Sequence, residues 1–203
     1  MQVGSGSHGE QTGNILIKIE SILLKEKPDI LLVQGDTNTV MAAALAGAKI
    51  GIKIGHIEAG LRSYDRQMPE EINRIVTDHI SNYLFVPTKK QQQILLNEGI
   101  SKNKINICGN TIVDAVYQNL ELAQENTKCL SDLKIQPKQY FLLTLHRPSN
   151  VDDQKTFRDI LKGLELIIKR FDLPIIFPAH PRTKNQINTF KLKIPKDKEK
   201  SNR

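Results

Sequence analysis

The sequence predicts an α/β protein built on parallel sheets and divided into two domains. Two observations carry this reading. Short apolar runs alternate with segments of helical periodicity along most of the 203 residues. The alternation breaks once, in a polar stretch from Glu125 to Lys138 that holds Pro137. Strands separated by helices pair in parallel through right-handed crossovers, so each side of the break reads as its own βα unit.

Element by element, Gln11 to Lys27 places Ile15, Ile19, Ile22 and Leu23 at helical spacing, and Pro28-Asp29 stops it. Ile30 to Val33 is a continuous apolar run, expected as a buried strand. Thr39 to Ile50 is rich in alanine, which suits a helix lying close on a sheet. Lys53 to Ile57 reads as a strand. Pro69 to Ile80 reads as a helix with proline in its first turn. Tyr83 to Val86 is a strand, Lys89 to Asn97 a helix closed by Gly99, Ile105 to Cys108 a strand, and Ile112 to Gln124 an amphipathic helix. Beyond the break, Tyr140 to Leu145 and Pro174 to Phe177 are strands. Thr156 to Arg170 is a helix with Phe157, Ile160, Leu161, Leu164 and Ile168 on one side, and Thr183 to Leu192 is a last, weaker helix. The expected boundaries are residues 1–124 for the first domain, 125–138 for the linker, 139–192 for the start of the second domain, and 193–203 for a disordered basic tail.

Composition narrows the function. No apolar run approaches the ~20 residues of a membrane helix, and the small, polar first residues are no secretory signal. Cys108 and Cys129 form no metal or disulfide pattern, which points to a reducing, cytoplasmic setting. The net charge is +7, but six basic and two acidic residues between Lys191 and Arg203 supply +4 of it. With no basic stripe interleaved with aromatics and no nucleic-acid module, nucleic acid is not the expected partner.

In an open parallel sheet, ligands bind beyond the carboxyl ends of the strands. The residues at those ends are Gln34-Gly35-Asp36-Thr37-Asn38-Thr39, His56-Ile57-Glu58-Ala59-Gly60-Leu61-Arg62, Gly109-Asn110-Thr111, His146-Arg147-Pro148 and Pro178-Ala179-His180-Pro181-Arg182. Each has a plain reading. Asp36 suits an Asx turn or helix cap. Glu58 suits a solvated loop. Glu70 suits a first-turn acid paired with Arg74 one turn on. His146 and His180 suit structural histidines. As a set they suit general acid–base chemistry on a phosphate-bearing ligand. No GxGxxG or GxxxxGK(S/T) sequence is present, which argues against a standard dinucleotide fold or a P-loop.

Five ordered segments, the first three being Gln34 to Thr39, His56 to Arg62 and Met68 to Arg74, followed by Gly109 to Asp114 and Leu145 to Arg147, together resemble the motifs of non-hydrolysing UDP-N-acetylglucosamine 2-epimerases. The resemblance implies two Rossmann-like domains facing a cleft, the GT-B architecture. It implies interconversion of UDP-GlcNAc and UDP-ManNAc by elimination of UDP to 2-acetamidoglucal and its re-addition, for polysaccharide precursors, with no cofactor or metal. It implies a homodimer for the full-length enzyme. Asp36, Glu58 and Glu70 match the family's catalytic carboxylates, and His146 its catalytic histidine near the leaving diphosphate. Arg62, Asn73, Arg147 and His180 match contacts to substrate or an allosteric ligand.

Three departures stand out. The family's early Gly-Thr-Arg-Pro-Glu loop and its later Asp-Ser-Gly-Gly segment are not among these residues, and Pro148-Ser149 follow His146-Arg147 where many members carry Arg-Glu or Ala-Glu. The expectation is therefore a fold incomplete at both ends, inactive by itself. Two rival readings are another GT-B nucleotide-sugar enzyme, such as a hydrolysing epimerase that would release free ManNAc, and a non-enzymatic gene remnant.

Overall fold

The computed structural model describes residues 3–4, 6–126 and 128–194. It divides into two compact units, Met1–Leu122 and Ala123–Arg203. The basic tail expected over 193–203 lies outside the described residues from 195 onward.

The first unit opens with helix α1 (His8–Glu26). It begins three residues before the expected Gln11, because Ser7 and Glu10 form a capping box. The Glu10 amide donates to the Ser7 hydroxyl at 3.3 Å and the Ser7 amide donates to the Glu10 carboxylate at 3.0 Å. These bonds hold the Glu10 carboxyl below its ordinary range. Strand β1 (Ile30–Gln34), helix α2 (Asn38–Lys49), β2 (Lys53–Ile57), helix α3 (Pro69–Ile80), β3 (Tyr83–Val86), helix α4 (Lys89–Asn97) and β4 (Ile105–Ile107) follow, and α5 (Thr111–Asn126) runs across the boundary between the units. The four strands are parallel and ordered β1-β2-β3-β4.

Because the strands follow chain order, β1 lies at one edge of this sheet. The Ile30–Val33 run is therefore not buried throughout, as its apolarity suggested. Only Val33 is buried, while Ile30 and Leu32 stay 40% and 55% exposed. An unbroken apolar run reports two apolar faces, not whether both are covered. The alanines of α2 do what their size allows. Ala42, Ala43, Ala44, Ala46 and Gly47 are buried, and a Cβ on Gly47 would come within 2.8 Å of the Ile54 side chain. The helix lies this close to β2 because no larger residue intervenes.

The second unit holds α6 (Cys129–Asp132), β5 (Phe141–Leu142), α7 (Pro148–Val151), α8 (Gln154–Phe171), β6 (Ile175–Ile176) and α9 (Pro181–Thr189). Its two strands pair in parallel. Both are shorter than the apolar runs that predicted them, and α6 and α7 were not expected. The stretch expected as a linker, 125–138, contains the end of α5 and all of α6. The core is Leu145, Val151, Phe157, Leu161 and Ile187, while Leu142, Leu166 and Phe171 remain exposed.

Glycine is required at position 60. Its φ of +76° lies in the left-handed region, and a Cβ there would approach the Gln91 carbonyl oxygen to 2.8 Å and the Leu95 side chain to 3.1 Å. Gly60→Ala is expected to destabilise the chain by about 3 kcal/mol, the sum of backbone strain and overpacking. Gly51→Ala, at φ +83° with open space around it, should cost about 1 kcal/mol. Urea unfolding of the two variants checks this.

Candidate active site

Helix α3 carries the most informative feature of the first unit. Its buried residues are Glu71, Asn73, Thr77 and Asp78, all polar, whereas Ile72 is 39% exposed. Charged side chains are rarely buried unless paired, so this inversion marks the helix face as one built for polar contacts.

Asp78 is the centre of those contacts. Its Oδ1 faces His56 Nδ1 at 2.6 Å. Its Oδ2 accepts from the Gly60 amide at 3.1 Å and from Arg62 Nη1 at 2.7 Å. Arg62 in turn donates to both oxygens of Glu98, at 2.8 and 2.6 Å, and to the Leu61 carbonyl. The Arg62 side chain is 1% exposed. Burial opposes its charge, but the bonds to Glu98 and the Asp78 carboxylate outweigh this and raise its pKa above the ordinary value.

Glu71 is the second buried carboxylate. It accepts from the Ser63 amide and hydroxyl at 2.9 and 3.0 Å, from the Tyr64 amide at 3.0 Å, and from Arg74 at 3.2 Å. Burial opposes its charge, but the two amides, the hydroxyl and the guanidinium prevail and hold its pKa below 4.5. Arg74 also pairs with Asp36. Among the described residues its ion pairs are thus with Asp36 and Glu71, not with the Glu70 that helical spacing suggested.

The expected site residues fall into two groups. In the first unit Asp36 lies just past β1, with its carboxylate on Arg74. Glu58 lies just past β2 with φ +70°, a conformation that costs a non-glycine residue about 1–3 kcal/mol. Its carboxylate accepts from Gln34 Nε2 at 3.0 Å, and Thr111 lies 3.1 Å from that same nitrogen, so three strand ends converge on one acid. Glu70 is exposed on the first turn of α3. Asn73 is buried and donates to the Asp36 carbonyl at 2.9 Å and to Asn38 at 3.2 Å. Arg62 and Asn73 are therefore engaged within the protein, not presented to solvent.

In the second unit His146 and Arg147 follow the β5 region and are exposed. The His146 ring lies 6.3 Å from that of His180, between centroids. His180 caps α9, its Nδ1 accepting from the Arg182 amide at 3.2 Å. Arg182 clamps Asp152 and, with Gln186, holds the Asp152 carboxyl below its ordinary range. Among the described residues no group of three or more His, Cys, Asp or Glu is placed to hold a metal ion, and no helix is long and apolar enough to cross a membrane.

A family model described as UDP-N-acetylglucosamine 2-epimerase matches residues 1–199. The chain belongs to the UDP-N-acetylglucosamine 2-epimerase family. It is 57% identical over 194 residues to the UDP-N-acetylglucosamine 2-epimerase of Methanococcus maripaludis, covering 95% of this chain and 53% of that protein. It is 54% identical over 205 residues to the enzyme of the same name from Methanocaldococcus jannaschii, covering 100% of this chain and 55% of that one. A crystal structure of the Methanocaldococcus jannaschii UDP-GlcNAc 2-epimerase, in complex with UDP-GlcNAc and UDP, matches with a TM-score of 0.88 at 55% identity, over 94% of this chain and 53% of that chain. The chain spans about half the length of the curated relatives it matches. The parallel α/β fold class read from the sequence holds.

Sequence reasoning assigned no role to Glu71, Asp78 or Glu98. One signal was available for the first two: they sit seven residues apart, which places them on one face of the helix. Glu98, beyond the end of α4, gave none.

Glu71 links to stability through its depressed pKa. A carboxylate whose folded pKa lies below its unfolded value contributes stability above the unfolded value and loses it as pH falls through the folded one. The stability of the chain should therefore fall from near pH 4.5 downward. Glu71→Gln should flatten that acid limb while lowering stability at neutral pH. Urea midpoints measured across this range check both statements.

Proposed function

We propose that the chain forms part of a non-hydrolysing epimerase that interconverts UDP-GlcNAc and UDP-ManNAc. The observation that carries the reading is the placement of Asp36 and Glu58 past the carboxyl ends of two neighbouring parallel strands, where ligands of such sheets bind. The identity to relatives bearing that activity in their names supports the same substrate class.

The chemistry sets the demands. The proton at C2 of the sugar is not adjacent to a carbonyl, so its removal must be coupled to departure of UDP from C1. A base takes the C2 proton, the C–H electron pair becomes the C1–C2 double bond, and the C1–O pair leaves with the diphosphate. Reversal on the opposite face of C2 returns the proton and re-forms the C1–O bond, giving the epimer with no net redox change. The carboxylates of Asp36, Glu58 and Glu70 supply the acid–base groups, and His146 assists the leaving diphosphate. Arg147 and His180 contact the substrate. Arg62 and Asn73 act from behind, through the groups they hold. The enzyme works as a soluble homodimer in the cytoplasm.

The test uses the chain completed with the segments of the Methanocaldococcus jannaschii relative that it does not span. In deuterated water this enzyme should form UDP-ManNAc from UDP-GlcNAc and incorporate deuterium at C2. Asp36→Asn, Glu58→Gln, Glu70→Gln and His146→Ala should each lower kcat ~100-fold or more, with smaller effects on KM. A variant that exchanges and epimerises at the parental rate removes its residue from the catalytic set. Release of free ManNAc would instead make the enzyme a hydrolysing one.

A further inference from the structure

The turn that presents Asp36 is held from behind by a histidine that the reaction itself does not call for. His56 sits on β2, directly opposite Val33 of β1, and is 1% exposed. Its Nε2 lies 2.9 Å from the Gly35 carbonyl oxygen. A carbonyl oxygen only accepts, so Nε2 carries a proton and donates it. Its Nδ1 lies 2.6 Å from Asp78 Oδ1, with a proton between them. Asp78 therefore fixes the ring orientation that aims Nε2 at Gly35.

Three backbone groups of the Gly35 turn are bonded. The Gly35 amide donates to the Ile57 carbonyl at 3.2 Å. Its own carbonyl receives His56. The next carbonyl, that of Asp36, receives Asn73 Nδ2 at 2.9 Å. Gly35 has φ +86°, a conformation that only these bonds and the absence of a side chain make easy. The Asp36 backbone is thus gripped at both flanking carbonyls, by β2 and by α3.

We infer that His56 is a positioning residue for Asp36, acting through the Gly35 carbonyl with its ring held in place by Asp78. The inference rests on Asp36 being catalytic under the reading above, and its structural half stands apart from that reading. Acids and bases must be held within a fraction of an ångström of their productive place, and a misplacement near 1 Å costs about 100-fold in rate.

Two substitutions separate positioning from packing. In His56→Asn the amide nitrogen takes the place of Nδ1 and meets Asp78, but it cannot reach Gly35. In His56→Gln the amide nitrogen takes the place of Nε2 and can donate to Gly35. In the 203-residue chain, the backbone amide of Asp36 reports on the Gly35–Asp36 peptide. Its order parameter by 15N relaxation is expected to fall in His56→Asn and to stay near the parental value in His56→Gln. In the completed enzyme, His56→Asn should lower kcat about 10- to 100-fold with KM within about threefold, and His56→Gln should recover most of the loss. Equal effects of the two substitutions, on folding, on the Asp36 amide or on turnover, would make His56 a packing residue and overturn the inference. A completed parental enzyme with no epimerase activity would sink the functional reading. The order parameters would then decide whether His56 positions the turn.

Discussion

The first unit depends on one buried carboxylate. Asp78, 1% exposed, sits between the His56 ring, the Arg62 guanidinium and the Gly60 amide. Removing one partner from such a cluster leaves an uncompensated buried charge, which is why these groups are costly to separate. Each partner belongs to a different stretch of backbone. His56 is on β2, Gly60 and Arg62 are on the loop after it, and Arg62 carries the connection on to Glu98 beyond α4. A single side chain on α3 thereby fixes the geometry where the strands end.

The arrangement extends toward the candidate catalytic groups through hydrogen bonds of known direction. His56 reaches the Gly35 carbonyl, Asn73 the Asp36 carbonyl, and Arg74 joins the Asp36 carboxylate to Glu71. Glu71 then holds the backbone of Ser63 and Tyr64. Two buried acids of α3, seven residues apart, thus secure adjacent stretches of the same loop. Rigid support of this kind is what the proposed catalytic role of Asp36 calls for.

Most of the fold was legible in the sequence because its signals are local. Helical spacing, Pro69 in the first turn of α3 and the glycine after α4 located elements to within a few residues. Exposure was less legible, since apolar Ile30 and Leu32 carry no mark of lying at a sheet edge. The short strands of the second unit were overestimated because apolar runs such as Tyr140 to Leu145 extend beyond the paired residues. The candidate site divides in the same way. Its exposed members were named through their motifs. Asp78 and Glu98 went unassigned because their role arises only when distant segments meet. Arg62 was visible as a residue, but the sequence could not show that its whole guanidinium faces inward.

Asp78 couples the loop after β2 to the turn after β1, through Gly60 on one side and His56 on the other. Hydrogen–deuterium exchange of the 203-residue chain carrying Asp78→Asn tests it most directly. Faster exchange is expected at the Gly60 and Gly35 amides together, with Leu84 and Val86 on an inner strand of the sheet still protected. Acceleration at Gly60 with Gly35 unchanged, or a uniform loss of protection across the unit, would contradict it.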